Sequence, residues 1–202
     1  MKNQFLDAMN FRHACREFDP AKQVGEEELH YILEAGRLSP SSMGMEQWHF
    51  LVARGEAMKK KLRAACKDQK QVEEASVVVI ILAKTADIHP DSPHFREILL
   101  KRHGAHWEKR LAYYRSYYDK VNAAEWSVAQ CHIAAANMMT AAAFIGIDSC
   151  PVGAFEAEKL MAAVGADPAR YVPAMVIPFG HRAKEPKPRN RLPFDEVVTR
   201  LD

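Results

Sequence analysis

Two kinds of apolar spacing alternate along the chain. From Gly25 to Leu38 the apolar positions are Leu29, Ile32, Leu33 and Gly36, preceded by Glu26, Glu27 and Glu28. This is helical spacing, with acidic side chains where the helix dipole favours them. The helix is expected to stop at Ser39, because a residue before proline avoids the α region. The runs WHFLVA (48–53) and SVVVIILA (76–83) are short and β-branched or aromatic, and the second is apolar at every position from Val77 to Ala83. Unbroken apolarity over that length suits a strand covered on both faces. A third strand is predicted over PAMVIPFG (173–180), with Pro178 placing it at an edge or near a strand end.

The longest helical pattern spans 124–146, is rich in alanine and ends in Gly146. Its apolar length invites a transmembrane reading, but Glu125, Gln130, His132 and Asn137 would all need partners in lipid. A buried central helix is the better reading. A further helix is predicted over Glu156 to Val164, and the tail RNRLPFDEVVTRL is basic and then amphipathic. No repeat, low-complexity tract or linker divides the chain, so residues 1–202 are expected to form a single domain. The hydrophobic runs are too few for a doubly wound sheet. A long helix packed against a small mixed sheet, α+β, fits them better.

Composition narrows the function. At 202 residues and 48% hydrophobic content the chain can bury a sizeable core, and 28 basic against 26 acidic residues leave a net charge of +2. Such a balance provides no strong field toward nucleic acid or an anionic membrane. The run KKKLR (59–63) reads as a solvated helix face. The first residues lack a stretch of signal-peptide type, which makes cytoplasmic residence the default expectation. Cys15, Cys66, Cys131 and Cys150 are widely spaced, as reduced thiols would be rather than a zinc or dithiol motif. Cys15 lies between Arg12 and Arg16, where positive charge would favour a reactive thiolate; ordinary packing is the simpler reading.

Phosphate-loop, dinucleotide-fingerprint and hydrolase-elbow motifs are all missing from the sequence. What remains is a set of anion-binding groups. Arg12, His13 and Arg16 lie within a few residues of one another, Arg189 and Arg191 lie near the other end, and Ser41 and Ser42 follow Pro40. Forked guanidinium donors match phosphate oxygens, and hydroxyls bind polar ligands. The stretch 89–107 carries His89, His94, His103 and His106, but without a zincin-like carboxylate or a cysteine it reads as a solvated loop or lid rather than a metal site.

Taken together, these motifs resemble the FMN-dependent nitroreductase family. Arg12, His13 and Ala14 stand where that family has an Arg-His-Ser type motif, with Arg16 at a usual basic position. Pro40, Ser41, Ser42 and Trp48 match its Pro-Ser-Ser turn into a strand, and Arg189, Arg191, Leu192 and Pro193 match its C-terminal signature. The segments around 67–85 and 124–155 resemble its central strand and its core helix with the following flavin-facing loop. The likeness runs in order over nearly the whole chain.

The resemblance implies a nitroreductase-like three-layer α+β fold and an intertwined homodimer with FMN at the interface. On that reading Arg12, His13, Ala14, Arg16, Arg189 and Arg191 hold FMN, while Pro40, Ser41 and Ser42 reach in from the partner chain. Asp68 and Gln71 would touch the ring edge or the incoming substrate. Two departures stand out: Gly44-Met45-Glu46-Gln47-Trp48 replaces the usual Asn-x-Gln-Pro-Trp, and Pro151-Val152-Gly153-Ala154 replaces the frequent Pro-x-Glu-Gly. A main-chain N–H of Gly153 or Ala154 would then stand near flavin N5 in place of a carboxylate.

The implied activity is an oxidoreductase in which NAD(P)H reduces FMN and a nitroaromatic or quinone-like acceptor reoxidises it in ping-pong order. The flavin carries the redox chemistry, and no protein general acid or base is assigned. Trp107, Tyr113 and Tyr114 lie in the segment that would cap the site, where they either select substrates or fill a helix pair. Two alternatives stay open: a flavin carrier or redox sensor without turnover, and a specialised reaction of the same fold such as dehalogenation or flavin breakdown, for which the segment 85–122 is long enough.

Overall fold

The unbroken apolar run at 77–83 is explained by what covers it. The computed structural model describes residues 2–201. Its four-stranded sheet is formed by β1 (Trp48–Ala53), β2 (Val77–Lys84), β3 (Asp148–Ser149) and β4 (Tyr171–Gly180), in the order β1-β2-β4-β3. Around it lie α1 (Lys2–Phe11), α2 (Glu26–Arg37), α3 (Glu56–Ala65), α4 (Lys70–Glu74), α5 (Pro93–His103), α6 (Trp107–Tyr118), α7 (Ala123–Phe144), α8 (Ala157–Val164) and α9 (Phe194–Val197). Successive side chains of β2 point to opposite faces. Val77, Val79, Ile81 and Ala83 enter a cluster with Leu29 and Ile32 of α2 and Cys131 and Met138 of α7. Val78, Ile80 and Leu82 enter a second one with Leu62, Val72 and Leu160 from α3, α4 and α8. The architecture is therefore α+β, with helices on both faces of a small sheet.

All the ladders are antiparallel, and the sheet is mixed only through an isolated parallel bridge between Ala14 and Ser149. Pro178 does lie near the end of its strand, but β4 is flanked by β2 and β3 and is not an edge. Pro173 sits beside the register shift between Ile81 and Leu82, where a bulge already interrupts the ladder and the missing N–H costs little.

The predicted helices fall close to their expected positions. At the start of α2 the Glu28 carboxylate accepts from the Gly25 N–H at 2.7 Å, and the helix ends at Arg37, just before Ser39 and Pro40. Asn122 caps α7 by accepting from the backbone N–H groups of Ala124 and Glu125. The α2–α7 crossing is close at Gly36, where a Cβ would lie 2.1 Å from Met138 Cε. No helix among the described residues is long and apolar enough to cross a membrane.

The stretch 89–107, expected as a solvated loop or lid, is instead largely helical. Ser92 caps α5 by accepting from the Phe95 N–H at 3.0 Å, with Pro93 in the first turn. Phe95, Leu99 and Tyr114 are buried with Met45, Ile88 and Trp126 in a third apolar cluster, which holds α5 and α6 against the body. The histidines that suggested a loop occupy the polar side and the ends of that hairpin. Its turn is made by Gly104 at φ 50°, a conformation that glycine adopts without strain.

Candidate active site

The two residues of β3 organise the site. Asp148 is 2% exposed and sits between the two ends of the chain. Its carboxylate accepts from Arg182 Nε at 3.1 Å and from the Arg182 backbone N–H at 3.0 Å, and it stands 3.5 Å from His13 Nδ1. Arg182 in turn lies 4.1 Å above the Phe11 ring. Ser149 pairs with β4 on one side and bridges Ala14 on the other, accepting from the Cys15 N–H at 3.0 Å. Backbone pairing and a buried ion pair thus fix the segment 12–15 next to the chain that leads into the loop 150–154.

Of the residues grouped from sequence, Arg12, His13, Ala14, Arg189 and Arg191, but not Arg16, line a single cavity of about 510 Å³ with Lys187. Arg189 anchors the returning tail by donating to the carbonyls of Asn10 and Arg12. The cavity is strongly cationic: burial lowers the pKa of Arg12, and the charges of Arg189 and Arg191 lower it further. Three guanidiniums that oppose one another in a partly buried recess are stabilised by a bound anion, and a phosphate offers matching oxygens to each. This donor set fits the phosphate end of FMN. Arg16 is elsewhere, in an adjoining cleft with Lys70 and Glu74.

A second wall is built from 66–71 and 150–154. Gln69 Nε2 donates to the Cys66 carbonyl at 3.0 Å and to the Ala154 carbonyl at 3.2 Å, tying the two stretches together. Gln71 is buried and donates to Gln69 Oε1 at 2.9 Å, with Cys150 Sγ at 4.0 Å. Asp68 is exposed, and it follows Lys67 in a left-handed conformation shared by both residues, at φ 55° and 56°. Gly153 and Ala154 are exposed, and Pro151 is partly so. Cys15 is buried and donates to the Glu17 carbonyl, and burial pushes its thiol up to about 11, which disfavours a thiolate at that position.

Pro40, Ser41 and Ser42 are absent from the lining of the arginine cavity. They lie beside α7, where the Ser42 N–H donates to Gln130 Oε1 at 2.8 Å and Ser41 Oγ accepts from the Glu46 N–H at 2.9 Å. Met43, Gly44 and Glu46 all have positive φ, at 56°, 66° and 48°. Non-glycine residues in that region carry strain that surrounding structure must hold in place. Here the holding groups are Arg102, which donates to the Gly44 carbonyl and the Glu46 carboxylate, and Lys84, which donates to the Glu46 carbonyl at 3.1 Å. Tyr114 is core: its hydroxyl donates to the Ile88 carbonyl at 2.7 Å. Tyr113 is 62% exposed and faces a cavity.

Asp148, Arg182, Gln69 and Lys187 were not anticipated. Lys187 had a signal in the sequence, since EPKPRNR places it between two prolines that stiffen the approach to the arginines. Asp148 and Gln69 had none, because each works through a partner distant in sequence.

The chain belongs to the Nitroreductase family, whose family model matches residues 9–181. A Staphylococcus haemolyticus protein, named provisionally as an NAD(P)H nitroreductase, is 38% identical over 213 residues, covering 98% of this chain and 97% of that one. Among solved structures, a nitroreductase-like protein from Streptococcus mutans superposes with a TM-score of 0.89 at 19% identity, with 100% of both chains covered, a likeness of fold. A protein from Exiguobacterium sibiricum, provisionally a nitroreductase and solved in complex with FMN, gives a TM-score of 0.83 at 26% identity, over 98% of this chain and 97% of the other.

Proposed function

We propose that the protein is an FMN-dependent NAD(P)H oxidoreductase that reduces nitroaromatic or quinone-like acceptors in ping-pong order, working as a homodimer. The observation that carries this reading is the convergence of Arg12, Arg189 and Arg191, from opposite ends of the chain, on one cationic cavity. The FMN complex of the Exiguobacterium sibiricum protein and the NAD(P)H nitroreductase name of the staphylococcal relative support it. FMN, when bound, supplies hydride acceptance from the nicotinamide and delivery of electrons to the second substrate.

The chain's own residues bind and orient. Arg12, Arg189 and Arg191 neutralise the phosphate, with His13 and Ala14 at the same cavity and Asp148 behind His13 as a positioning residue. The segment containing Asp68 and Gln71 and the loop Pro151 to Ala154 flank the flavin ring, with the exposed backbone of Gly153 and Ala154 as hydrogen-bond donor. Arg16, one cleft away, adds positive charge from the side. Pro40, Ser41 and Ser42 act on the partner's flavin, and a dimer is supported by the apolar side chains exposed on α1, α7 and the tail: Phe5, Leu6, Ile133, Phe144, Leu192 and Phe194. Left in water, so much apolar area favours association.

The test is a visible spectrum of protein incubated with FMN and desalted, followed by NADPH or NADH and then by a nitroaromatic or quinone. Flavin that is retained, bleaches and recovers is the expected result. Retained flavin that does not bleach would indicate a carrier or sensor, and a colourless protein would reject the assignment.

A further inference from the structure

We infer that the α5–α6 hairpin forms a specificity pocket for an anionic group carried on a flat or apolar body, an inference that rests on the oxidoreductase reading above. Met43, Met45, Leu99 and Tyr114 line an apolar slot of about 210 Å³. His103, Arg110 and Tyr113 stand at its wall, and the same three residues line a larger cavity of about 630 Å³ together with Arg102, His106 and Lys109. The two cavities therefore share a wall, with an apolar floor on the slot side and a cationic rim on the other.

The charges at that rim are unequally engaged. Arg102 is neutralised by the Glu46 carboxylate and is occupied in holding the 43–46 turn. Lys109 and Arg110, adjacent on α6, make no ion pair and no side-chain hydrogen bond among the described residues. An anionic group entering the cavity that both residues line would therefore meet two cations that no protein carboxylate already engages. The slot suits the rest of such a ligand: methionines adapt to varied apolar shapes, and the Tyr113 ring is 62% exposed and free to stack.

Location ties this pocket to the proposed reaction. Met43 immediately follows Ser42, so the floor of the slot adjoins the turn assigned to the partner's flavin. None of the rim residues belongs to the arginine cavity assigned to FMN phosphate. The rim thus reads a substrate rather than the cofactor. Two substrates have the required chemistry: an acceptor bearing a carboxylate or sulfonate, and a reductant bearing the 2′-phosphate of NADPH.

The experiment is isothermal titration of the FMN-incubated protein, without any reductant, using two matched pairs: 4-nitrobenzoate against methyl 4-nitrobenzoate, and NADP+ against NAD+. In the native protein, the more anionic member of at least one pair is expected to bind about tenfold more tightly, and added salt should narrow the gap. In the double variant Lys109→Gln/Arg110→Gln the preference should fall to within about twofold, with the other member of the pair little affected. The pair that discriminates identifies the source of the anion. Equal affinities within both pairs, or a preference that the double variant retains, would overturn the pocket. Because no turnover is needed, discrimination in a protein that fails the bleaching test would refute the oxidoreductase reading alone. Bleaching and recovery without discrimination would refute the pocket alone.

Discussion

Arg191 illustrates how little a residue's neighbours in sequence say about its work. It is exposed, follows a proline-rich stretch and donates only to the adjacent Asn190 carbonyl, yet it completes the cationic cavity and depresses the proton affinity of Arg12. Arg191→Ala is expected to weaken FMN retention by about 2 kcal/mol, roughly 30-fold, as a charge-assisted phosphate contact is lost. FMN affinity equal to the parent's in a fluorescence titration would remove Arg191 from the phosphate site. Cys15 follows the simpler reading, packing, rather than the reactivity that Arg12 and Arg16 beside it would favour. All four are free and buried. Burial pushes Cys15 and Cys66 up to about 11 and Cys131 up to about 12 from 9.0, and it raises Cys150 as well. Native protein at pH 8 should therefore react only slowly with a thiol reagent, whereas protein in denaturant should show four rapid thiols; one fast thiol in the native state would contradict the burial. Since the unfolded chain loses these protons first, the thiols' contribution to stability is constant below pH 9 and is lost as pH rises through 11 to 12.

At the level of elements, the core and the site are held by different parts of the chain. None of the three apolar clusters includes a residue beyond Phe179, whereas the cationic cavity takes Lys187, Arg189 and Arg191 from the tail. A chain ending at Lys184 should keep its circular-dichroism helix signal and a cooperative thermal transition while losing FMN on desalting. Loss of the transition would mean that the tail contributes to the core after all. The strands and long helices were readable because burial repeats with their own period: β2 is covered on both faces, and α2 carries apolar positions at helical spacing. Other elements were not readable. The two-residue β3 is too short to show a period. The helices α5 and α6 are rich in histidines and arginines, and the side that packs is marked by the buried Phe95, Leu99 and Tyr114 with Trp107, Leu111 and Tyr118 partly buried beside them.

For the molecule as a whole, the proposed homodimer predicts that the exposed apolar surface is covered by a second copy. Ile133 and Phe144 on α7 and Phe5 and Leu6 on α1 are exposed apolar side chains on neighbouring helices. Light scattering should give a mass near twice 22.8 kDa, and Ile133→Glu, which places a charge on that face, should shift the protein toward the monomer and reduce FMN retention together. A monomeric parent protein that holds FMN would rule out a site shared between two chains.

What the sequence by itself determined was whatever depends on local repetition or on residue type: the α+β class, the central helix, the doubly covered strand, and the guanidiniums, serines and loop glycine that make up the candidate site. Only the tertiary structure decided how they are grouped. It gathers Arg12 with Arg189 and Arg191, sets Arg16 in a separate cleft, leaves Pro40 to Ser42 out of the arginine cavity, and makes Tyr114 core while Tyr113 faces a cavity. The reason is that a chain pattern records which side of its own element a residue occupies. Which elements meet is set by the packing of the whole, here through a buried aspartate and a two-residue strand that join the ends of the chain.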